Sequence, residues 1–253
     1  MRLHLAADVP VEVRGSLKPV AARLAAPDLS RAAPDVLAVV GRPDPLLLAR
    51  AEGPIVAIPL APDGGLSAPL ARADAIAILD EGDLPRVPND APVVMVGLPL
   101  PPPANATAAL DPGHETRGLA DALRAEGGGA TSSTVAHGVT WIRGVGAIQT
   151  ARAAAAWQAG RAVVALPPTP PVHLLVRAGC PRCSTALAAI EMTRLVLQAP
   201  ALGRALAGRG RAATEGMPGV EEVARGLLEA AELARATRSG AGRGADAATL
   251  GKR

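Results

Sequence analysis

The stretch that decides the fold covers residues 139–166 and reads VTWIRGVGAIQTARAAAAWQAGRAVVAL. It contains, in order, a strand at 139–142, a turn at Gly144 and Gly146, an alanine-rich helix at 148–158, a helix stop at Gly160 and a strand at 161–166. A strand, a helix and a second strand at this spacing predict a βαβ unit. The sheet is therefore expected to be parallel, with the helix N-terminus at the edge where the strands end.

The turn before this helix is the first candidate site. Glycines allow the backbone to approach a ligand closely, and a helix start offers amide N–H groups and a positive dipole end to a phosphate. Arg143, Gly144 and Gly146 are therefore predicted to contact phosphate, with an ordinary structural turn as the alternative. The complete dinucleotide-binding fingerprint is absent because its third glycine is missing, and the chain has no P-loop Gly-Lys-Ser or Gly-Lys-Thr.

Strands and helices alternate through the first half of the chain. Strands are predicted at residues 2–6, 35–40, 54–60, 74–79 and 91–98, and helices at 17–25, 45–51 and 66–73. This alternation with short connections predicts a doubly wound α/β sheet. In the second half, further helices are predicted at 115–125, 181–198, 200–213 and 220–237, and a further strand at 172–176.

A segment rich in proline and alanine separates the two halves. It includes consecutive prolines at 101–103 and lacks hydrophobic periodicity, as is typical of an extended spacer. We therefore predict an N-terminal domain at 1–100, a linker at 101–114, a C-terminal domain with a helical end at 115–238 and a flexible tail at 239–253.

Composition narrows the classes of protein to consider. Hydrophobic residues make up 49% of the 253 residues, but Phe and Tyr are absent and Trp141 and Trp157 are the only aromatic residues, so the core is built from small aliphatic side chains. The scarcity of Lys, Asn and aromatic residues is typical of a bacterial genome of high GC content. The net charge of +3 comes from 26 basic and 23 acidic side chains mixed along the chain, which argues against nucleic-acid binding.

Targeting and metal-binding signals are missing from the sequence. No apolar stretch has membrane-spanning length and the N-terminus lacks a signal-peptide pattern, so a cytoplasmic protein without a membrane span is predicted. None of the four histidines lies in a metal or nucleophile motif, and no catalytic residue and no metal site are predicted. The sequence does not indicate the oligomeric state.

The run Cys180-Pro181-Arg182-Cys183 is the second candidate site. It follows a predicted strand and opens the predicted helix at 181–198, and a helix N-terminus lowers the pKa of a thiol. A dithiol redox pair is one interpretation. A metal site is another, although zinc takes four ligands and the chain holds one cysteine pair. The alternative to both is a structural role for the two cysteines.

Asp8, Arg14 and Gly15 form the third candidate site. They belong to a predicted loop at 8–15 after the first strand, and Ser16 is predicted to cap the helix that follows. In a doubly wound sheet this loop faces the ligand crevice, so a binding role is predicted for the three residues.

The second half resembles the group 1 glycosyltransferases, which have the GT-B fold. TARAAAAWQAGRAVVALPPTP at 150–170 is similar to the family's helix ending in Ala-x-Gly and the Val-Val-Ala strand after it. STALAAIEMTRLVLQAPALGRALAGRGRAA at 184–213 is similar to its helical pair, and VEEVARGLLEAAE at 220–232 to its closing helix. The resemblance implies two Rossmann-like domains with parallel sheets and a helical C-terminal end. It also implies a nucleotide-sugar donor substrate, no required cofactor, and donor phosphates near Arg143, Gly144 and Gly146.

The chain departs from the family at the donor-binding helix. The two glutamates of that helix correspond to Ile148 and Ala156, and its turn glycines correspond to Gln149 and Ala151. The resemblance therefore implies sugar transfer to an unknown acceptor, or a non-catalytic descendant of such an enzyme. Two other hypotheses are a redox or metal-handling protein based on Cys180 and Cys183, and a non-catalytic scaffold or regulatory subunit.

Overall fold

The structure, a computed structural model, describes residues 1–42, 45–60, 72–86, 91–101, 139–144, 146–166 and 173–240. Its strands are β1 (Arg2–Leu5), β2 (Leu37–Val40), β3 (Ile55–Ile58), β4 (Ala75–Ile78), β5 (Val93–Met95), β6 (Val139–Arg143) and β7 (Ala162–Leu166). Its helices are α1 (Val11–Leu24), α2 (Pro27–Ser30), α3 (Pro45–Ala49), α4 (Ala147–Gln158), α5 (His173–Arg177), α6 (Ala186–Gln198), α7 (Pro200–Thr214) and α8 (Val220–Arg238). A 3-10 helix covers Glu81–Arg86.

The chain divides into two compact units. The first comprises Met1–Val9, Lys18–Gly97 and Gly219–Arg253, and the second comprises Pro10–Leu17 and Leu98–Pro218. No helix in the described ranges combines the length and the hydropathy needed to cross a membrane. Most of the predicted helix at 66–73, the whole helix at 115–125, most of the linker at 101–114 and residues 241–253 of the predicted tail lie outside the described residues.

Sheet A of the first unit has five parallel strands in the order β1-β2-β3-β4-β5. All four residues of β3 and all four residues of β4 are apolar and buried, as expected for parallel strands covered on both faces. Because each strand lies beside the next one in sequence, the order never reverses among the described strands. The α/β class is confirmed, whereas the predicted pair of Rossmann-like domains is not. The order of the described strands differs from the predicted doubly wound arrangement, and these strands form no switch-point crevice.

The C-terminal helix α8 belongs to the first unit and not to the predicted domain at 115–238. Its buried face packs against β3, β4 and β5. Its last turn is also anchored, because Arg235 is paired with the carboxylate of Asp35 and Arg238 Nη1 donates to the carbonyl of Gly53 at 2.6 Å. The pKa of Asp35 is lowered by its hydrogen bond to Arg235. The last helix of the described residues, α8, therefore packs in the first unit.

Sheet B of the second unit is formed by β6 and β7, which are parallel, and helices cover both of its faces. On one face Ile142 and Val163 pack with α4, α5 and the end of α7. On the other face Val139, Val164 and Leu166 pack with α6 and the middle of α7. The predicted βαβ unit at 139–166 is confirmed, with α4 between the two strands.

Two local predictions in this unit are wrong. The strand predicted at 172–176 is the short helix α5, because the apolar run His173–Arg177 buries one side at Leu175 rather than alternate residues. The helix predicted at 181–198 begins only at Ala186. Pro181 and Cys183 instead exchange backbone hydrogen bonds with Ala165 of β7, at 2.8 and 3.0 Å, which adds a short parallel segment to sheet B.

Candidate functional site

The carboxyl ends of β6 and β7 define the candidate site in the second unit. The two strands are in register from Val139 opposite Ala162 to Arg143 opposite Leu166, so they end at the same edge of sheet B. The chain leaves β6 through Gly144 and Gly146 and enters α4 at Ala147. The N-terminus of a 12-residue helix therefore lies at the edge where ligands bind in parallel α/β sheets.

Both glycines of this turn have backbone conformations that favour glycine. Gly144 has φ of 77° and Gly146 has φ of 111°. Gly146 is the N-cap of α4, and its carbonyl accepts the first helical hydrogen bond, from the Thr150 N–H at 3.0 Å. A Cβ placed on Gly144 would have nothing within 4 Å, so this part of the turn faces open space. The open position at Gly144 lies two residues before Gly146, the N-cap at the positive end of the α4 dipole.

Most residues of α4 are buried. Ile148 and Ala156, which correspond to the family's donor-binding glutamates, are 6% and 5% exposed. Ala156 and Trp157 belong to the apolar cluster beneath β6 and β7. This side of the helix is therefore apolar and packs in the core. The helix, AIQTARAAAAWQ, has no acidic residue.

The second helix start at this edge of the sheet was missed by sequence reasoning. Because the segment Pro181–Cys183 runs parallel to β7, the helix that follows it, α6, also begins at the carboxyl edge of sheet B. Thr185 is its N-cap, and the Thr185 hydroxyl accepts the Ala188 N–H at 3.1 Å. A Ser-Thr pair before an apolar run is an N-cap signal, but Pro181 offered an earlier helix start that proved wrong.

Asp8, Arg14 and Gly15 do not form the predicted loop. Helix α1 begins at Val11, so Arg14 and Gly15 lie inside it, and Ser16 donates to the Glu12 carbonyl at 3.2 Å instead of capping a helix. The stripe of buried residues extends back to Val13, and its packing outweighs the weak helix propensity of Gly15. Both carboxylate oxygens of Asp8 accept the Arg42 N–H at 3.2 Å, which gives Asp8 a structural role between two loops.

Cys180 and Cys183 face opposite sides of sheet B. Cys180 packs in the cluster with Ile142 and Val163, whereas Cys183 packs in the cluster with Val164 on the other face. Both are free thiols. Residues three apart in an extended segment point to opposite faces, so the pair is not arranged to form one disulfide or to bind one metal ion. Among the described residues, no group of three or more His, Cys, Asp or Glu is arranged to hold a metal.

The surroundings of both thiols favour the protonated form. Burial raises the pKa of Cys180 to about 12, and the thiol donates to the Val163 carbonyl at 3.3 Å. Burial also raises the pKa of Cys183. The predicted lowering of the thiol pKa by a helix start does not arise, because α6 begins three residues beyond Cys183. The arrangement therefore suits structural cysteines better than a redox pair.

We expect Cys180 to react slowly with Ellman's reagent at neutral pH in the folded protein and rapidly in urea, because its thiol is largely buried and protonated, and we expect the less buried Cys183 to react faster than Cys180 in the folded protein. The free energy of unfolding should fall as the pH rises from about 8.5, the usual thiol range, towards 12, since the unfolded Cys180 ionises first. Rapid formation of an intramolecular disulfide under a mild oxidant in the folded protein would contradict this assignment.

Comparison with known proteins does not assign a family to the chain. The sequence matches no protein-family model and no curated protein sequence. The functional argument therefore rests on the residues and geometry described above.

Proposed function

We propose that this chain is a glycosyltransferase-like protein that binds a nucleotide-sugar at the carboxyl edge of sheet B. The observation that carries the proposal is the Gly144–Gly146 turn, which opens α4 with two left-handed glycines and leaves open space beside Gly144. The diphosphate of the donor would lie at this turn. The resemblance of residues 150–170 and 184–213 to group 1 glycosyltransferases supports a sugar nucleotide as the ligand.

The chemistry of the turn suits an anionic ligand. The α4 dipole presents about half a positive charge at its N-terminus, and backbone amides of a helix start bind phosphate oxygens. Arg143, the last residue of β6, supplies a full positive charge in the adjacent sequence position. In sugar transfer, these groups would stabilise the negative charge that develops on the leaving nucleoside diphosphate.

Helix α4 lacks the two glutamates with which group 1 glycosyltransferases bind the donor. Ile148 and Ala156 occupy the corresponding positions, and both are buried. Donor binding and sugar transfer are therefore separate parts of the proposal. Binding rests on the turn, whereas transfer requires groups beyond α4. A non-catalytic descendant binds the donor without releasing a nucleoside diphosphate, and a scaffold or regulatory subunit binds no donor.

Calorimetric titration with UDP-, GDP- and ADP-sugars tests donor binding, and an assay for released nucleoside diphosphate tests transfer. Gly144→Asn and Gly144→Asp form a matched pair, because both side chains tolerate a positive φ and have the same shape. Only Asp adds a negative charge beside the diphosphate. We expect Gly144→Asp to bind the donor roughly tenfold more weakly than Gly144→Asn.

Two results would reject this assignment. The first is that the wild-type protein binds none of the three classes of nucleotide-sugar. The second is that Gly144→Asn and Gly144→Asp have equal affinities, which would place the ligand away from the turn. Thermal unfolding of both variants controls for a change in stability.

A further inference from the structure

The positive charge of this protein is concentrated in one part of the chain. Residues 139–218 contain nine arginines, no lysine and two glutamates, a net charge of +7, whereas the rest of the chain has a net charge of −4. The nearly balanced total of +3 conceals this asymmetry. Helix α7, PALGRALAGRGRAAT, contributes three of the arginines and has no acidic residue.

Four exposed arginines of α5 and α7 form a feature that we name the arginine face: Arg177, Arg204, Arg209 and Arg211. Contacts between side chains and glycine turns bring their elements together. The Arg209 guanidinium lies over Gly179, just after α5, with Nη1 3.4 Å from the position of a Cβ on that glycine. The Arg177 guanidinium lies closer still to Gly216, just after α7, with Nη1 2.6 Å from the position of a Cβ on that glycine. Helices α5 and α7 are therefore joined by reciprocal arginine contacts.

The guanidinium groups of the arginine face retain their charge for a partner. Arg211 Nη2 lies 3.5 Å from the Trp157 carbonyl at the end of α4, a weak contact with a neutral group. Within the described part of the chain, none of the four arginines is joined to a carboxylate by an ion pair. Glu215, directly after α7, is the only acidic residue in the sequence between 192 and 218, so the four arginines outweigh the acidic charge of this segment.

We propose that the arginine face binds the surface of an anionic phospholipid bilayer. A guanidinium group pairs with phosphate through two parallel hydrogen bonds, which suits phospholipid headgroups. The exposed residues between the arginines of α7 are small, namely Ala201, Ala205, Gly208 and Ala212. These small residues separate Arg204 and Arg211, on one flank of the exposed side of α7, from Arg209 on the other flank.

An exposed apolar residue beside the arginines also suits a membrane interface. Val176 of α5 is 58% exposed, next to Arg177 in sequence. A basic surface with an adjacent apolar side chain is the pattern of peripheral membrane contact, in which the apolar group enters the headgroup boundary. An anionic bilayer therefore offers phosphate groups to the arginines and an apolar boundary to Val176.

A nucleic acid fits this surface less well. Proteins that bind single strands stack bases on aromatic side chains. The chain has no Phe or Tyr, Trp157 is buried, and the Trp141 ring N–H donates to the Thr193 hydroxyl at 2.9 Å in the interior of the second unit. The arginine face therefore has no aromatic residue with which to stack a base.

Co-sedimentation of the full chain with phosphatidylcholine vesicles, with and without phosphatidylglycerol, tests the proposal. Wild-type protein should bind only the anionic vesicles, and high salt should release it. The triple variant R204Q/R209Q/R211Q should bind roughly a hundredfold more weakly at low salt, about fivefold for each arginine. The double variant R204Q/R209Q, which keeps the Arg211 contact with Trp157, should show most of this loss and controls for misfolding.

The matched control is R31Q/R50Q/R225Q, which removes three exposed arginines from the first unit and has the same net charge as the triple variant. It should bind anionic vesicles within about threefold of wild type, a loss smaller than that expected from one arginine of the face. Equal losses in the two triple variants would overturn the proposal, since net charge alone would then explain binding. Failure of the wild-type protein to bind anionic vesicles, or preferential binding of duplex DNA, would also overturn it.

Discussion

The substitution Gly210→Ala is expected to lower the free energy of unfolding by about 3 kcal/mol. Gly210 of α7 lies directly on the indole of Trp157 in α4. A Cβ at this position would be 2.2 Å from Trp157 Nε1 and 2.3 Å from Cδ1 and Cδ2. Trp157 is 1% exposed and packed in the core of the second unit, so the ring cannot turn away without displacing its neighbours. The clash outweighs the roughly 1 kcal/mol by which alanine favours a helix over glycine.

Urea unfolding followed by tryptophan fluorescence measures this effect, because both tryptophans belong to the second unit. Gly208→Ala is the matched control. Gly208 is an exposed residue of the same helix, and a Cβ there would meet nothing within 4 Å, so this variant should gain up to about 1 kcal/mol. In a Trp157→Leu background, Gly210→Ala should cost little, because the ring that it meets is gone. Similar effects of Gly208→Ala and Gly210→Ala would refute the contact.

Local sequence predicted the βαβ unit of this fold but not the close contact between Trp157 and Gly210. The βαβ unit was predicted because its strands, its glycines and its alanine-rich helix follow one another within 28 residues. Its observed bounds, Val139–Arg143, Ala147–Gln158 and Ala162–Leu166, differ from the predicted ones by one residue at three of the six ends. The contact of Gly210 with Trp157 joins residues 53 positions apart, and no local pattern encodes it.

The wrong predictions arise where tertiary contacts outweigh local sequence signals. Residues 181–183 were predicted to be helical because proline favours the first position of a helix, but their hydrogen bonds to Ala165 of β7 hold them extended. The predicted loop before α1 was wrong because the burial of Val13 continues the helix through Gly15. The strand order of sheet A and the position of α8 against β3, β4 and β5 are likewise set by tertiary packing.

For the candidate site too, the sequence predicted the feature that has a local signal and not the features that depend on tertiary contacts. The turn at Gly144 and Gly146 was predicted in place, because glycine between a strand and a helix is a local signal. The opposite orientations of Cys180 and Cys183 follow from the pairing of their segment with β7, which spacing alone did not predict. The arginine face was missed because charge summed along the sequence does not describe charge collected on one surface.

The second large effect is expected for Gly53→Ala in the first unit. A Cβ on Gly53 would lie 1.9 Å from the carbonyl oxygen of Asp35, which precedes β2 as Gly53 precedes β3. This oxygen is a backbone atom, so no side-chain rotation relieves the clash, and one of the two loops must move. Asp35 and Gly53 also contact α8, because Arg235 pairs with Asp35 and Arg238 donates to the Gly53 carbonyl. We therefore expect a loss of about 3 kcal/mol, or failure to fold.

Two control variants separate the clash from its consequences. Gly219→Ala adds a Cβ with only Glu222 Oε2 nearby, at 3.8 Å, and φ at this residue is −75°, so it should cost about 1 kcal/mol or less. Arg238→Ala removes the exposed contact of α8 with Gly53 and should also cost about 1 kcal/mol or less. Far-UV circular dichroism is the suitable probe, because the first unit has no aromatic residue. If Gly53→Ala costs no more than Arg238→Ala, the two loops are not in close contact at Gly53.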